Sequence, residues 1–257
     1  MKWHLRQTVL ALSVAAVGGL RADEKAVRQE LDTTLQRYDT LLQQSFALPF
    51  KSPEISALLS QQVAAATQQT LGIPLQVSIS HFTYTYTPKG SQIKAHLADL
   101  PAAQADLMEK QANQLIQGSA VGQMLETIAF DALKEGVLYL NAQKATCALR
   151  KELPATADFS VSGSNQQLLP GLQLKETWFR FDRTAKAVTM LQFNFTNGTS
   201  MQARLKYVDM PVAGGASVPV PAQAEITQDA ITTPQQGVTV PKKLTVQYGK
   251  CVFAAAR

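Results

Sequence analysis

The spacing of apolar positions changes period repeatedly along the chain, and each change marks an element. From Glu24 to Phe46, Val27, Leu31, Leu35, Tyr38 and Leu42 recur at steps of three and four, with charged and Gln residues between them. That spacing builds one apolar stripe on a helix. The run "FALPFK" breaks it at Pro49. A second helix follows. Ser52 is placed to cap free backbone N–H groups, Pro53 suits the first turn, and Glu54 favours the positive helix end. Its stripe is Ile55, Leu59, Val63 and Ala66, and Gly72 and Pro74 stop it.

From Leu75 the period falls to two. Leu75, Val77 and Ile79 alternate with polar residues, then Phe82, Tyr84 and Tyr86 do so on the other parity. The switch at Ser80–His81 predicts a bulge. "TPKGS" turns the chain into a second strand, Gln92 to Leu97. Helical spacing returns over Pro101 to Gln117 and Ser119 to Lys134, with Gly118 between. Val137 to Leu153 reads as a strand then a helix, or as two strands. After Pro154 the chain is β-rich, with strands expected at Phe159 to Val161, Leu172 to Asp182, Ala187 to Phe195, Thr199 to Asp209, Val220 to Thr227 and Pro241 to Phe253. Two long connections in this part are rich in Pro, Gly and Thr.

One hairpin fixes a register. In "LQFNFTNGTSMQARLKYVD" a two-residue Asn197-Gly198 loop sets Phe193 against Gln202 and Leu191 against Arg204. A three-residue loop, Thr196-Asn197-Gly198, sets Phe193 against Met201 and Leu191 against Ala203. Only the second buries one face as a unit, and it gives Gly198 the left-handed position such a loop needs. One face then carries Leu191, Phe193, Phe195, Met201, Ala203, Leu205 and Tyr207; the other carries Gln192, Asn194, Ser200, Gln202, Arg204 and Lys206. Asn194 and Asn197 each also match the N-x-[ST] glycan acceptor, which has meaning in a eukaryotic secretory pathway and is accidental in a bacterium. Upstream, "ETWFRFDRT" puts Trp178 on one parity and Phe179 and Phe181 on the other, so both faces of that strand call for cover. The apolar face reads as sheet core or as the lining of an apolar cavity, and the two coexist.

Composition changes the picture at the N-terminus. Lys2 and Arg6, an apolar run from Thr8 to Leu20, and acids only from Asp23 form a secretory signal peptide over residues 1–22. Three of the 24 basic residues lie there (Lys2, Arg6 and Arg21), leaving 21 against 19 acids and a net charge of +2. No basic stripe with aromatics is present, which argues against nucleic acid. No later run is long enough to span a bilayer. Cys147 and Cys251 read either as a disulfide in an oxidising compartment or as two buried thiols.

Candidate chemistry is thin. His81 and His96 flank the "TPKGS" turn, with His96 expected opposite Thr83 and diagonal to His81; two ligands fall short of a usual metal site, so exposed strand histidines are expected. "GSAVG" at Gly118 lacks the nucleophile-elbow order. No phosphate loop occurs. "FDRT" reads as a turn opened by Asp182. Neither a catalytic residue, a metal site nor a cofactor is assigned.

The order "WFRFDRTAKAVTMLQFNFTNGTSMQARLKYVDM" then "VPVPAQAEIT" resembles the outer-membrane lipoprotein carrier family of the bacterial periplasm, over Trp178 to Thr227. The shared pattern is strand, Asp-containing turn, strand, Asn- or Asp-Gly turn, strand ending in Tyr, then a Pro-led strand. The chain departs from the family in its early strand, which lacks Arg-Pro, and in the helical insertion. The resemblance implies an unclosed barrel whose concave apolar face holds acyl chains beneath helices.

The expectation is an α+β fold: a curved antiparallel sheet, an unclosed barrel, covered by N-terminal and inserted amphipathic helices. It forms a single domain over 23–257, helical over 23–72 and 101–135, a hairpin over 75–97 and β-rich over 155–257. The expected function is a non-catalytic periplasmic carrier or chaperone for a lipid, a lipidated protein or another apolar ligand, with extracellular secretion as the alternative location. Trp178, Phe179, Phe181, Leu191, Phe193, Phe195 and Met201 are its candidate ligand-binding residues. The alternatives are an envelope interaction or assembly protein with a packed core, and a secreted enzyme using carboxylates or a metal.

Overall fold

The computed structural model describes residues 25–71, 77–98, 102–117, 147–162, 167–169, 172–212, 215–229 and 241–254. The signal peptide, the second inserted helix, most of Val137 to Leu153 and parts of both long connections lie outside these residues. Helix α1 covers residues 25–42. Then come β1 (Phe46–Lys51), α2 (Pro53–Leu71), β2 (Ser78–Thr87), β3 (Gly90–Ala98) and α3 (Ala102–Gln117). The rest is sheet: β4 (Ala148–Glu152), β5 (Thr156–Ser162), β6 (Gln167–Leu169), β7 (Leu172–Asp182), β8 (Ala187–Phe195), β9 (Ser200–Pro211), β10 (Ser217–Gln228), β11 (Lys243–Tyr248) and β12 (Val252–Phe253).

The strands form one sheet in the order β3-β2-β1-β11-β10-β9-β8-β7-β5-β4, with β12 beside β1 and β6 beside β7. Its pairings are antiparallel. Among the described residues β3 and β4 do not pair with each other, so the barrel is unclosed. This is the expected α+β architecture.

The stripe of α1 is buried at Val27, Leu31, Leu35, Tyr38 and Leu41. It joins one core with Phe46, Leu48 and Phe50 of β1, Phe82 and Tyr84 of β2, and the apolar faces of β5 and of β7 to β11. Polar contacts trace its course across the sheet. Arg28 donates to the carbonyl of Cys147, just before β4. Tyr38 meets β8, and the Tyr86 hydroxyl of β2 donates to the Leu42 carbonyl at the helix end (3.0 Å). Helix α2 starts as expected at Ser52, whose carbonyl accepts from the Ser56 N–H (2.8 Å). The Ser52 hydroxyl is engaged with Glu54 (3.2 Å), and the same Glu54 oxygen accepts from the Thr245 N–H (3.3 Å), which ties α2 to β11.

Helix α3 closes an edge. Asn113 accepts from the Ala95 N–H (2.8 Å) and donates to the Ala95 carbonyl (3.5 Å); Glu109 accepts from the Leu97 N–H (3.2 Å). These side chains take the place of a strand on the outer side of β3, where unpaired backbone groups would otherwise recruit another chain.

The structure corrects the sequence reading at several places. The first helix ends at residue 42, and "FALPFK" is β1, lying between β2 and β11. Proline is ordinarily kept from such a position because it cannot donate to a ladder. Here Phe50 pairs with Tyr248 and Ala47 with Val252, so the partner strand carries one extra residue across from Pro49. The Pro49 carbonyl accepts from the Gly249 N–H within this bulge (2.7 Å). A strand residue's N and C=O point to the same side, so the missing Pro49 donor also faces the bulge, where no ladder bond is lost. A Cβ on Gly249 would lie 3.1 Å from Pro49 Cγ. Pro241 to Phe253 is accordingly two strands, β11 and β12.

Pro219 and Pro221 obey the same rule: among the described residues β10 pairs with β11 only from Gln223 onward, and its Pro-bearing half pairs on the β9 side. The third correction is a register. His96 pairs with His81, and Thr83 with Lys94. The turn is shorter than expected because the Thr87 hydroxyl donates to the Gly90 carbonyl (3.0 Å) and accepts from the Lys89 N–H (3.3 Å).

Candidate functional site

The concave side of β5, β7, β8 and β9 is built by alternation. The Thr196–Gly198 loop pairs Phe193 with Met201 and Leu191 with Ala203, the register that parity selects. Gly198 adopts φ 86°, and its N–H donates to the Phe195 carbonyl (3.1 Å) while the Phe195 N–H donates to the Thr199 carbonyl (2.9 Å). On β7, Phe179 pairs with Phe159 on one side and Leu191 on the other. Phe179, Phe181, Leu191, Phe193, Phe195 and Met201 all turn inward, each at most 3% exposed, within one cluster under α1. Six of the seven expected residues therefore share one face.

Trp178 does not join them. It points to the convex side, 41% exposed, between Ser160 and Gln192 on the neighbouring strands. It was expected in the cavity with the other aromatics, but the strand period excludes it once Phe179 is inside. The inward place beside it goes to Thr177, 1% exposed, between Val161 and Phe193. The Thr177 hydroxyl finds no hydrogen-bond partner. A hydroxyl in an apolar setting is costly when unpaired, so Thr177 is a costly polar group in this face. Sequence reasoning passed over it because Thr is an ordinary strand residue.

The cover over this face is fastened at its rim. Arg37 of α1 donates to Asp209 (2.6 Å) and to the Lys186 carbonyl (3.2 Å). Arg183, in the β7–β8 turn, pairs with Glu30 of α1 (2.9 Å) and with Glu152 of β4 (2.6 Å). The turn itself is held by Asp182, whose carboxylate accepts from the Thr184 and Ala185 N–H groups (both 2.9 Å); this is the role expected of "FDRT". Deeper in, the Val188 N–H donates to the Tyr38 hydroxyl (3.1 Å), and the Tyr207 hydroxyl donates to the Val188 carbonyl (2.8 Å). The two tyrosine rings meet edge to face at 6.0 Å. Burial pushes the Tyr38 phenol up to about 12 and Tyr207 well above its usual value, so both stay neutral hydrogen-bonding groups.

Cys147 and Cys251 are separate, buried thiols with no disulfide between them. Burial raises Cys147 to about 11, against a smaller opposing pull from Arg28, and Cys251 to about 12. A thiol with so high a pKa is a poor nucleophile. His81 and His96 are half-buried and stacked, ring centroids 4.3 Å apart at 10°. Among the described residues no group of three or more His, Cys, Asp or Glu is placed to hold a metal ion. Among them, too, no helix is long and apolar enough to cross a membrane.

No family model matches the chain, and no curated protein is found to be similar. Among solved structures it is similar to an outer membrane lipoprotein-sorting protein domain from Vibrio parahaemolyticus, at 5% identity over 88% of this chain and 94% of that one, with a TM-score of 0.37. It is also similar to a LolA superfamily protein from Nitrosomonas europaea, at 10% identity, the same two coverages and a TM-score of 0.33.

Proposed function

We propose that this chain is a non-catalytic carrier or chaperone that takes a lipid, a lipidated protein or another apolar ligand onto its concave sheet face, with α1 as the removable cover. Its leader sends it to the periplasm; export from the cell is the alternative. The observation that carries the reading is the continuous apolar face of Phe179, Phe181, Leu191, Phe193, Phe195 and Met201 in an unclosed sheet, covered by α1. The exposed part of the fastening is two arginine clusters, and surface ion pairs contribute only about 0–1 kcal/mol each. Displacing α1 frees its own apolar stripe as well, so a ligand has to replace that burial with its own chains.

The near-complete burial of the same six side chains favours a second reading, an envelope interaction or assembly protein whose core is simply packed. One experiment separates the two. The protein is stripped of bound lipid by unfolding and refolding, then titrated with a fluorescent sixteen-carbon fatty acid and with a triacylated lipopeptide. The carrier reading expects saturable binding with Kd near or below about 10 μM, and faster amide exchange in α1 on loading. Absence of binding to both probes, with α1 exchange unchanged, leaves the packed-core reading.

A further inference from the structure

Residues 177 and 178 are each on the wrong side of their strand. With Phe179 and Phe181 fixing the parity of β7, a polar Thr is enclosed and a Trp is left in water. Places where a local rule is broken without local gain are where function is expected. Trp178 stands in a row of directly paired residues across four strands: Ser160, Trp178, Gln192 and Gln202. Beside the indole runs a chain of fixed amides. Arg204 Nε donates to Gln202 Oε1 (3.2 Å), Gln202 Nε2 to Gln192 Oε1 (3.1 Å), and Gln192 Nε2 to Asn194 Oδ1 (3.0 Å). An amide has two N–H donors and two acceptor lone pairs, so each linked glutamine keeps one of each free toward solvent.

Of the guanidiniums beside this row, Arg204 is engaged by Gln202 and two more are held by carboxylates. Arg180 forms a two-pronged pair with Asp158 (2.7 and 2.8 Å), and Arg150 binds Ser160 (2.6 Å) and Glu176 (3.0 Å). Guanidiniums already held by carboxylates are poorly placed to take a phosphate. An acyl chain would find one aromatic ring and Met190 among polar groups. What fits is a molecule with an apolar flat face for the indole and an edge of groups that both donate and accept. We propose that the convex face around Trp178, with Gln192, Gln202 and Asn194, is a second binding surface, for the neutral pyranose rings of a glycan. The C–H face of the sugar lies on the electron-rich face of the indole, and its hydroxyls complete the amide row. The surface is flat, so it suits a chain of sugars held weakly at each ring. It is independent of the concave face and does not require that α1 move.

The sequence has two tryptophans, Trp3 and Trp178, so the full chain carrying Trp3→Phe reports through Trp178 alone. Its emission is followed during titration with maltohexaose, cellohexaose and chitohexaose, with dextran sulfate as a polyanion. The proposal expects a saturable blue shift with at least one neutral hexasaccharide, at a Kd of about 1 mM or below. By calorimetry, Trp178→Ala should weaken that binding at least about tenfold and Gln192→Ala about fivefold, a loss of roughly 1 to 1.4 kcal/mol. Both positions lie on the water-facing side, so the fold is retained, and binding of the fatty-acid probe to the concave face is unchanged in both variants. Emission unmoved by all three hexasaccharides overturns the proposal, including the case where Trp178 anchors a protein. So does a shift with dextran sulfate alone, or saccharide binding that survives Trp178→Ala.

Discussion

On β8, Leu191, Phe193 and Phe195 are at most 1% exposed, while Gln192 and Asn194, one residue away, are hydrogen-bonded to each other on the side that faces water. The same backbone thus serves two environments. The concave face is a continuous apolar surface under helices, which encloses the unpartnered hydroxyl of Thr177. The convex face carries a lattice of amides and ion pairs, and among its described residues Trp178 is the exposed aromatic. What the contrast teaches is that the parity of β7 was settled by Phe179 and Phe181, and that their two neighbours accept unfavourable places as a result. The stability of the sheet rests on the inner face, and its capacity for polar recognition on the outer one.

The harshest test of that division is a pair of truncations on adjacent residues. Phe193→Ala removes a fully buried ring between Thr177 and Met201 and should cost about 3 to 5 kcal/mol. Gln192→Ala, on the outer side, should change stability by no more than about 0.5 kcal/mol. Urea unfolding of both variants with unchanged m-values measures the difference. Similar midpoints for the two would mean that the faces do not divide the energy in this way.

Much of this division is legible in the sequence, and the places where it is not share a cause. Leu172–Asp182 and Ala187–Phe195 match their expected limits, and the bulge expected at Ser80–His81 is present between Ile79 and His81. On β2 and β8 aromatics at period two leave a single choice of face, whereas on β7 Phe179 and Phe181 settle it against Trp178. The β8–β9 register was decided in the same way, by matching Phe193 to Met201. β1 was missed although Phe46, Leu48 and Phe50 alternate, because Pro49 argues locally against a strand. Its toleration depends on a bulge some two hundred residues away, and local spacing carries no information about that. His96 was misplaced because a threonine side chain shortened its turn. Trp178 was grouped with the other aromatics against its own parity, while the other six expected residues share one face.

A smaller effect tests the hydroxyl enclosed by the inner face. Thr177→Val keeps nearly the same shape and removes a buried hydroxyl that has no partner. The ligand-free protein should gain about 1 kcal/mol, seen as a higher urea midpoint at constant m. A loss of stability instead would show that the hydroxyl is satisfied. If the gain appears and binding of the triacylated lipopeptide weakens, the hydroxyl is being kept for the ester or amide of a ligand.

The smallest effect concerns the outer face where it ceases to be watery. His81 lies on the outer parity of β2, yet its ring stacks on His96 of β3. One ring nitrogen of His81 meets the Ser80 hydroxyl (2.9 Å), and His96 meets the Thr83 hydroxyl (3.0 Å). Burial holds His81 below the usual histidine range, with His96 and Lys51 of β1 adding to the depression and Glu109 of α3 opposing it. A folded-state value below the unfolded one means that the unfolded chain takes the proton first. Above an unfolded pKa of about 6.5 the residue has no effect. As pH falls through that value toward the lower folded one, stability is lost. Between pH 7 and 5.5, before carboxylates titrate appreciably, the urea midpoint should fall more in the parent than in His81→Gln, which stays neutral and can still pair with Ser80. Parallel slopes would remove His81 as the cause. A flatter slope in the variant would mark the β2–β3 end as the part of the convex face that behaves as interior.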